Sequence, residues 1–172
     1  VRWCRPDRYY QLSKWRGTFS HDGGALSNQG IHHLDLMRYL CGEVSKAFVI
    51  MKTLGANIEV EDTAVSTIEF KNGGVGTIEV TTAARPDDFE ASLSIVGSKG
   101  LAQIGGKAVN ELQLFSPDPK ACKKNSETFK NGYGLGHLKF YKDVEKSLNK
   151  KKSFKFPIDK NDVYNSTKLL NS

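Results

Sequence analysis

Alternating small, apolar and polar residues in the middle of the chain place the strongest limit on its fold. Between Asp62 and Phe70 the small and apolar side chains occupy every second position, which predicts a strand with one buried face. The turn Lys71–Gly74 contains Asn-Gly, which accepts positive φ and favours a hairpin. Further strands are predicted at 75–82, 89–96, 101–104 and 109–115. Because short turns join them, we expect an α+β fold: an open, mostly antiparallel sheet with helices packed on one face.

The flanking segments add one strand and three helices to this prediction. The apolar run within Lys46–Lys52 is typical of a strand covered on both faces. Asp7–Leu12 predicts a short helix capped by Asp7, and His137–Asn149 predicts an amphipathic helix. A last helix is predicted to begin at a cap provided by Asp159 or Asn161.

The stretch from Gly23 to Gly42 predicts another amphipathic helix, which follows a glycine turn and ends at Gly42. Its apolar residues recur at helical spacing and form one stripe: Ile31, Leu34, Met37 and Leu40. If the helix begins near Asn28, a second face carries four polar residues: Asn28, His32, Asp35 and Tyr39. The helix therefore combines a core-forming stripe with groups that can donate, accept or exchange protons.

Two interpretations of this polar face follow from the residues. In the first, Asn28 is only an N-cap and His32 is a structural histidine held by Asp35. In the second, His32 is a general acid or base, Asp35 fixes its tautomer, and Asn28 holds a substrate hydroxyl. Spacing alone leaves both interpretations open.

Several runs, taken together, resemble the C-terminal, substrate-binding domain of the Gfo/Idh/MocA oxidoreductases. They are Trp15-Arg16-Gly17-Thr18, Asp22–Leu26, Asn28–His32, Asp35-Leu36, Ile58–Ala64, Asn72-Gly73-Gly74 and Gly97–Gly100. The resemblance extends from Val1 to about Leu148. Within the family, three segments look most like the UDP-sugar 3-dehydrogenases, which act on UDP-N-acetylglucosamine-type uronates: Arg8–Gly17, Asn28–His32 and Gly136-His137.

The resemblance implies hydride transfer from a sugar, at C3 of a UDP-N-acetyl amino sugar or its uronate, to NAD or NADP. The family's cofactor is bound by a separate N-terminal Rossmann domain, which also supplies a lysine beside the helix histidine. The implied catalytic residues are His32, Asp35 and Asn28, and the implied substrate-binding residues are Lys14, Trp15, Arg16, Gln29 and His137. The resemblance also implies a homo-oligomer formed through the open sheet face.

Three of the implied substrate-binding residues have simpler explanations. Trp15 also fits a core or interface aromatic, and Arg16 fits an ordinary surface charge. His137 lies near a predicted helix start, where it meets a ligand anion or serves only as a surface residue beside the cap.

Length, charge and cysteine content narrow the class of protein. The 172 residues suit a single domain, 1–172, with no apolar run of membrane-spanning length and no signal peptide. The three widely spaced cysteines favour reduced thiols in the cytoplasm over disulfides or a zinc site, so no metal is expected. The net charge of +6 arises partly from lysine clusters without interleaved aromatic residues, which favours a solvated surface over nucleic-acid binding.

The sequence contains no Gly-x-Gly-x-x-Gly between a strand and a helix. We therefore expect no cofactor-binding residues in this chain, and no dehydrogenase activity from the chain alone. An alternative function, from a different class, is a stand-alone dimerising or sugar-binding module without catalytic activity.

Overall fold

The computed structural model describes residues 1–129, 136–149 and 160–170. The strands are β1 (Val44–Lys52), β2 (Thr63–Phe70), β3 (Val75–Thr81), β4 (Leu93–Gly97), β5 (Gly100–Gly105) and β6 (Glu111–Phe115). The helices are α1 (Asp7–Tyr10), α2 (Ile31–Cys41), α3 (Ala121–Lys124), α4 (Gly136–Leu148) and α5 (Lys160–Leu170), with a π-helical turn at Leu26–Gly30 directly before α2. The chain has the α+β fold that the sequence predicts.

The strands form two three-stranded antiparallel sheets, in the orders β1-β2-β3 and β4-β5-β6. The N-terminal segment joins them, because Arg2 bridges Thr81 at the end of β3 and Glu90 ahead of β4. The Arg2 guanidinium also reaches the carboxylates of Glu79, at 2.8 Å, and Glu90, at 2.7 Å. The two sheets are thus linked through the first residues of the chain.

The hydrophobic core lies between α2 and one face of the first sheet. The buried positions of β2 alternate as predicted: Ala64, Ser66, Ile68 and Phe70. Ile68 and Phe70 pack with Leu34 and Met37 of α2, and Leu169 of α5 packs against this cluster. Burial of each large apolar side chain contributes about 1.5–3 kcal/mol, so this contact fixes the position of α2 on the sheet.

The prediction that β1 is covered on both faces is wrong. Its side chains are exposed along almost the whole strand, with Phe48 at 69% and Ile50 at 55%. β1 is an edge strand that pairs only with β2, and among its residues only Val44 packs against the core cluster. A continuous apolar run is compatible with burial on both faces or with exposure on both, and the sequence does not distinguish the two.

The loop after β1 is held by a buried carboxylate. Asp62, with 1% exposure, accepts the backbone N–H groups of Leu54 at 2.9 Å, Gly55 at 2.6 Å and Ala56 at 3.1 Å. Backbone N–H groups are strong donors to a carboxylate. These bonds fix the path of residues 54–62, which form one wall of the candidate site described below.

Several element boundaries differ from the prediction. The helix expected to begin near Asn28 is a π-helical turn followed by α2, which ends as predicted at Gly42 with φ of 101°. α1 has no side-chain cap, because its N-cap position is Pro6; Asp7 is its first residue, and the Asp7 carboxylate accepts the Asn57 N–H at 3.1 Å. The strand predicted at 89–96 begins only at Leu93. The predicted cap Asp159 lies outside the described residues.

Within the described residues, no helix is both long and apolar enough to cross a bilayer. Four lysines of a cluster near the C-terminus, Lys150, Lys151, Lys152 and Lys155, lie outside the described residues.

Candidate functional site

A small cleft, with a free volume of about 10 Å³, lies between α1, the π-helical turn and the segment that leads into β2. Its polar lining consists mainly of Tyr9, Tyr10, Asp22, Asn28, Gln29 and Glu61. The π-helical turn carries Asn28 and Gln29 and continues directly into the first turn of α2, which carries His32. π-Helical turns are rare and occur frequently at functional sites. The main polar groups predicted from the sequence are therefore grouped along one short segment.

Asn28 and Gln29 are held by hydrogen bonds inside the cleft. The Asn28 side-chain amide donates to the Asp22 carboxylate, whose other oxygen accepts the Gly17 N–H at 2.5 Å. The Gln29 amide donates to the Tyr9 hydroxyl at 3.3 Å and to the Asn28 side-chain oxygen at 3.2 Å. Asn28 lies inside the π-helical turn, whose N-cap is Ala25, so it is not an N-cap residue. Its amide is oriented by Asp22, as a group that binds a hydroxyl requires.

His32 lies in the first turn of α2 with an exposed side chain. It makes no hydrogen bond with any residue in the described part of the chain. Its imidazole is therefore accessible to solvent, and His32 is not among the residues that line the cleft.

Asp35 is predicted to contact His32, but it contacts other residues instead. Its carboxylate accepts a hydrogen bond from the Ser166 hydroxyl of α5 and lies 3.5 Å from the Arg38 guanidinium. Asp35 makes no hydrogen bond or ion pair with His32 in the described residues. The structure therefore gives no support to the expected role of Asp35 in orienting the imidazole. The physical reason is the buried cation Arg38, which also binds Glu43 at 2.6 Å and draws acidic side chains toward itself.

Arg16 lies in a stack of aromatic rings. Its guanidinium carbon is 4.2 Å from the Tyr9 ring centre and 4.8 Å from that of Trp15. The guanidinium carbon of Arg5 also lies over aromatic rings, 5.3 Å from the ring centres of both Tyr9 and Trp3. Trp15 is 43% exposed, which excludes a core role.

Arg16 differs from the other stacked arginine in its charge environment. Arg5 pairs with Asp88 at 2.8 Å, whereas Arg16 has no carboxylate partner within the described residues, and its Nε is buried without a hydrogen bond. Arg16 also lines a second, wider cleft beside Asp7 and Glu59. A stacked guanidinium with free N–H groups is suited to bind a phosphate or carboxylate with two parallel hydrogen bonds.

Burial shifts the ionisation of two residues in the cleft. It raises the pKa of Tyr10, whose hydroxyl is 2.9 Å from the Thr82 hydroxyl. Burial also raises the pKa of Glu61, while the hydrogen bond from the Leu26 N–H lowers it. Both shifts favour the neutral form of the group, which is the expected effect of a partly desolvated site.

Three predicted substrate-binding residues, Lys14, Trp15 and His137, line neither cleft. Lys14 is exposed in the turn before Trp15, and His137 is exposed at the start of α4. Within the described ranges, no group of three or more His, Cys, Asp or Glu side chains is placed to hold a metal ion.

Sequence reasoning missed Tyr9, Asp22 and Glu61 as members of the site. The alternation of aromatic residues with arginine from Trp3 to Arg16 was the available signal for Tyr9. Asp22 borders the glycine turn, and Glu61 precedes β2. No local sequence pattern shows that these two carboxylates line the same cleft.

A family model, the GFO/IDH/MocA C-terminal domain, matches residues 1–103. The chain belongs to the Gfo/Idh/MocA family. The match includes the π-helical turn, α2 and all of the first sheet, which is the part of the chain that forms both clefts.

Solved structures and curated proteins of related sequence agree with this assignment. The WlbA dehydrogenase of Bordetella pertussis, solved with NADH and UDP-GlcNAcA, is 34% identical with a TM-score of 0.86 over 99% of this chain and 50% of that chain. The WlbA dehydrogenase of Chromobacterium violaceum, solved with the same two ligands, is 36% identical with a TM-score of 0.86 over 99% of this chain and 48% of that one.

A more distant relative is the levoglucosan dehydrogenase of Pseudarthrobacter phenanthrenivorans. It is 27% identical over 150 residues, which cover 71% of this chain and 38% of that protein. The chain thus spans about half the length of the WlbA proteins and less of the curated relative.

Proposed function

We propose that this chain is the C-terminal, substrate-binding half of an oxidoreductase. The intact enzyme moves hydride from C3 of a UDP-N-acetyl amino sugar, or of its uronate, to NAD. The observation that carries the proposal is the segment in which Asn28 and Gln29 line the cleft directly ahead of the exposed His32. The similarity to WlbA dehydrogenases solved with NADH and UDP-GlcNAcA supports the reaction and the substrate class.

The described strands do not form the parallel βαβ unit that commonly binds a dinucleotide cofactor. Every pairing between named strands is antiparallel, whereas the dinucleotide-binding βαβ unit requires parallel strands and a glycine-rich turn. We therefore assign NAD, or NADP, to an N-terminal domain in another part of the polypeptide, where it accepts the hydride. This chain alone is expected to be inactive.

The residues of this chain handle the substrate and its proton. His32 takes the proton of the hydroxyl group that is oxidised, since an exposed imidazole exchanges protons readily. Asn28, oriented by Asp22, holds a neighbouring hydroxyl of the sugar. Arg16, stacked between Tyr9 and Trp15, binds the diphosphate or the uronate carboxylate.

The open face of the first sheet supports assembly with a second copy of the chain. Phe48 and Ile50 of β1 lie on this face beside Val65 of β2, and their exposures are 69%, 55% and 50%. Exposed apolar groups on one sheet face are typical of an interface. We infer a homo-oligomer that buries this face.

The test uses the natural full-length protein, NAD, and a set of sugars: UDP-GlcNAcA, UDP-GlcNAc and levoglucosan. We expect NADH formation with the nucleotide sugars and a lower kcat/KM with levoglucosan, which offers no phosphate to Arg16. His32→Ala should lower kcat about 100-fold or more, because general acid–base catalysis contributes about 10²–10⁴-fold. Its KM should change little.

The matched control is His21→Ala, which replaces an exposed histidine hydrogen-bonded to Ser20 at 2.7 Å. It should keep wild-type kcat. Near-normal kcat in His32→Ala would remove His32 from the chemistry. Binding of UDP-GlcNAcA without NADH formation would instead support the sugar-binding module.

A further inference from the structure

We propose that Glu61 is a positioning residue for this reaction: it binds the start of the π-helical turn and thereby fixes Asn28, Gln29 and His32. The inference rests on the proposed function for its kinetic consequence. Its structural basis is separate and is found in the contacts between residues 24–26 and Glu61.

Glu61 binds two consecutive backbone groups of the helical segment. Its carbonyl oxygen accepts the Ala25 N–H at 2.9 Å, and its carboxylate accepts the Leu26 N–H at 3.0 Å. The first N–H groups of a helix have no partner inside the helix and need one outside. No side chain caps the π-helical turn at Ala25, so Glu61 provides this partner.

Gly24 leaves the space in which the carboxylate lies. A Cβ atom at this position would be 1.8 Å from Glu61 Oε2, far inside van der Waals contact. The φ of Gly24 is also positive, at 86°, a conformation that residues with a side chain rarely adopt. Gly24 and Glu61 therefore form a matched pair, and either substitution disturbs the same contact.

Glu61 is itself held in place. Asp62, the next residue, is fully buried and bonded to the loop at Gly55 and Ala56. Glu61 thus lies on a fixed segment. Its hydrogen bond with the Leu26 N–H holds the π-helical turn, which carries Asn28, against that segment. In catalysis, a displacement of about 1 Å in a positioned group can cost on the order of 100-fold in rate.

The hydrogen bond from the Leu26 N–H is strongest when Glu61 is ionised, and a neutral carboxyl or amide group still offers an oxygen that accepts it. Burial raises its pKa, the Leu26 N–H lowers it, and the nearby carboxylates of Asp22 and Asp62 raise it further. Tyr9 and Tyr10, which line the same cleft, are the other titratable groups that face this position. As pH falls through the raised pKa, the carboxylate takes a proton and its hydrogen bond to the turn weakens.

The experiment compares Glu61→Ala and Glu61→Gln in the natural full-length protein with NAD and UDP-GlcNAcA. Glu61→Ala should lower kcat about tenfold or more, with little change in KM, since the turn loses its anchor. Glu61→Gln keeps an oxygen that accepts the Leu26 N–H, so it should retain kcat near neutral pH. The control Glu111→Ala, in exposed β6, should match wild type.

Gly24→Ala provides an independent test. Because its added methyl group strikes the Glu61 carboxylate, the effects of Gly24→Ala and Glu61→Ala on kcat should be far from additive in the double variant. Hydrogen exchange of residues 24–30 should be faster in Glu61→Ala and unchanged in Glu111→Ala.

Additive kinetic effects, or unchanged exchange in Glu61→Ala, would overturn the inference. A wild-type protein that forms no NADH would overturn the proposed function instead, and the exchange measurement would still decide whether Glu61 anchors the turn. Wild-type kcat in Glu61→Ala, in an active enzyme, would overturn the inference alone.

Discussion

His33, beside the proposed acid–base residue, is a polar side chain in an apolar environment. Its ring lies edge-on to Trp3, with centres 5.5 Å apart, and neither ring nitrogen makes a hydrogen bond within the described residues. Burial lowers its pKa to about 4. The Gln29 carbonyl opposes this shift but lies outside hydrogen-bonding geometry.

This environment predicts a specific pH dependence of stability. In the unfolded chain His33 takes a proton near its ordinary value of 6.5, whereas in the folded chain it stays neutral down to about 4. The unfolded state therefore binds more protons in this window, so the contribution is complete above 6.5 and is lost as pH falls toward 4.

His33→Phe, which keeps an aromatic ring against Trp3, should reduce the loss of stability between neutral and acid pH. Urea unfolding on both sides of the window measures this change, and His21→Ala is the control at an exposed position. If His33→Phe loses as much stability on acidification as wild type, His33 is not the group responsible.

The roles of single residues were only partly predictable from the sequence. Helical spacing placed Asn28 and His32 one turn apart in the sequence, and the structure places them in the π-helical turn and in the first turn of α2. Helical spacing also assigned Asp35 to His32, whereas the bond that Asp35 makes is to Ser166, 131 positions away. The bond between Glu61 and the Leu26 N–H spans 35 positions and leaves no local pattern.

Among the elements, β2 was predictable and β1 was not. β2 has one buried and one exposed face, and the alternation of small or apolar residues with mostly polar ones along its sequence indicates these two faces directly. The continuous apolar run of β1 does not show which of its side chains are buried, since the exposure of this strand follows from its place at the sheet edge. The π-helical turn before α2 was also missed, because one residue more per turn hardly changes the spacing of apolar side chains.

The contact between α2 and α5 depends on one buried cation. Arg38 of α2 is 7% exposed, and it donates to the Ser166 hydroxyl at 3.0 Å and to the Asp162 carbonyl at 3.1 Å, both on α5. It also binds Glu43 at 2.6 Å. This arrangement connects segments more than 120 residues apart in the sequence.

Arg38→Met should therefore destabilise the protein and loosen α5. The free energy of unfolding should fall by about 1–3 kcal/mol, because the hydrogen bonds of the buried guanidinium to α5 are lost, whereas its carboxylate partners are 42–44% exposed and remain solvated. Hydrogen exchange should accelerate in α5 more than in β2. Lys168→Met, at an exposed position on α5, is the control, and equal exchange in both variants would argue against a specific role of Arg38.

For the whole molecule, the two faces of the first sheet have different roles. One face packs against α2 and supports the segment that carries Asn28, Gln29 and His32. The other face presents apolar side chains to solvent, including Phe48 on β1 and Val75 on β3. In an oligomer that buries this face, a second copy of the chain would cover the side of the sheet opposite α2. The sheet that supports each site would then be packed on both sides.

Substitution at the centre of this open face tests that arrangement. Ile50 of β1 lies opposite Val65 of β2, and both are at least half exposed, at 55% and 50%. Ile50→Glu places a charge where a second copy would desolvate it, so it should shift the natural full-length protein from oligomer to monomer in sedimentation velocity. Val96→Glu is the matched control, because Val96 is 83% exposed on β4 of the other sheet and should leave the assembly unchanged. A wild-type monomer, or an oligomer that both substitutions leave intact, would show that the open face has no part in assembly.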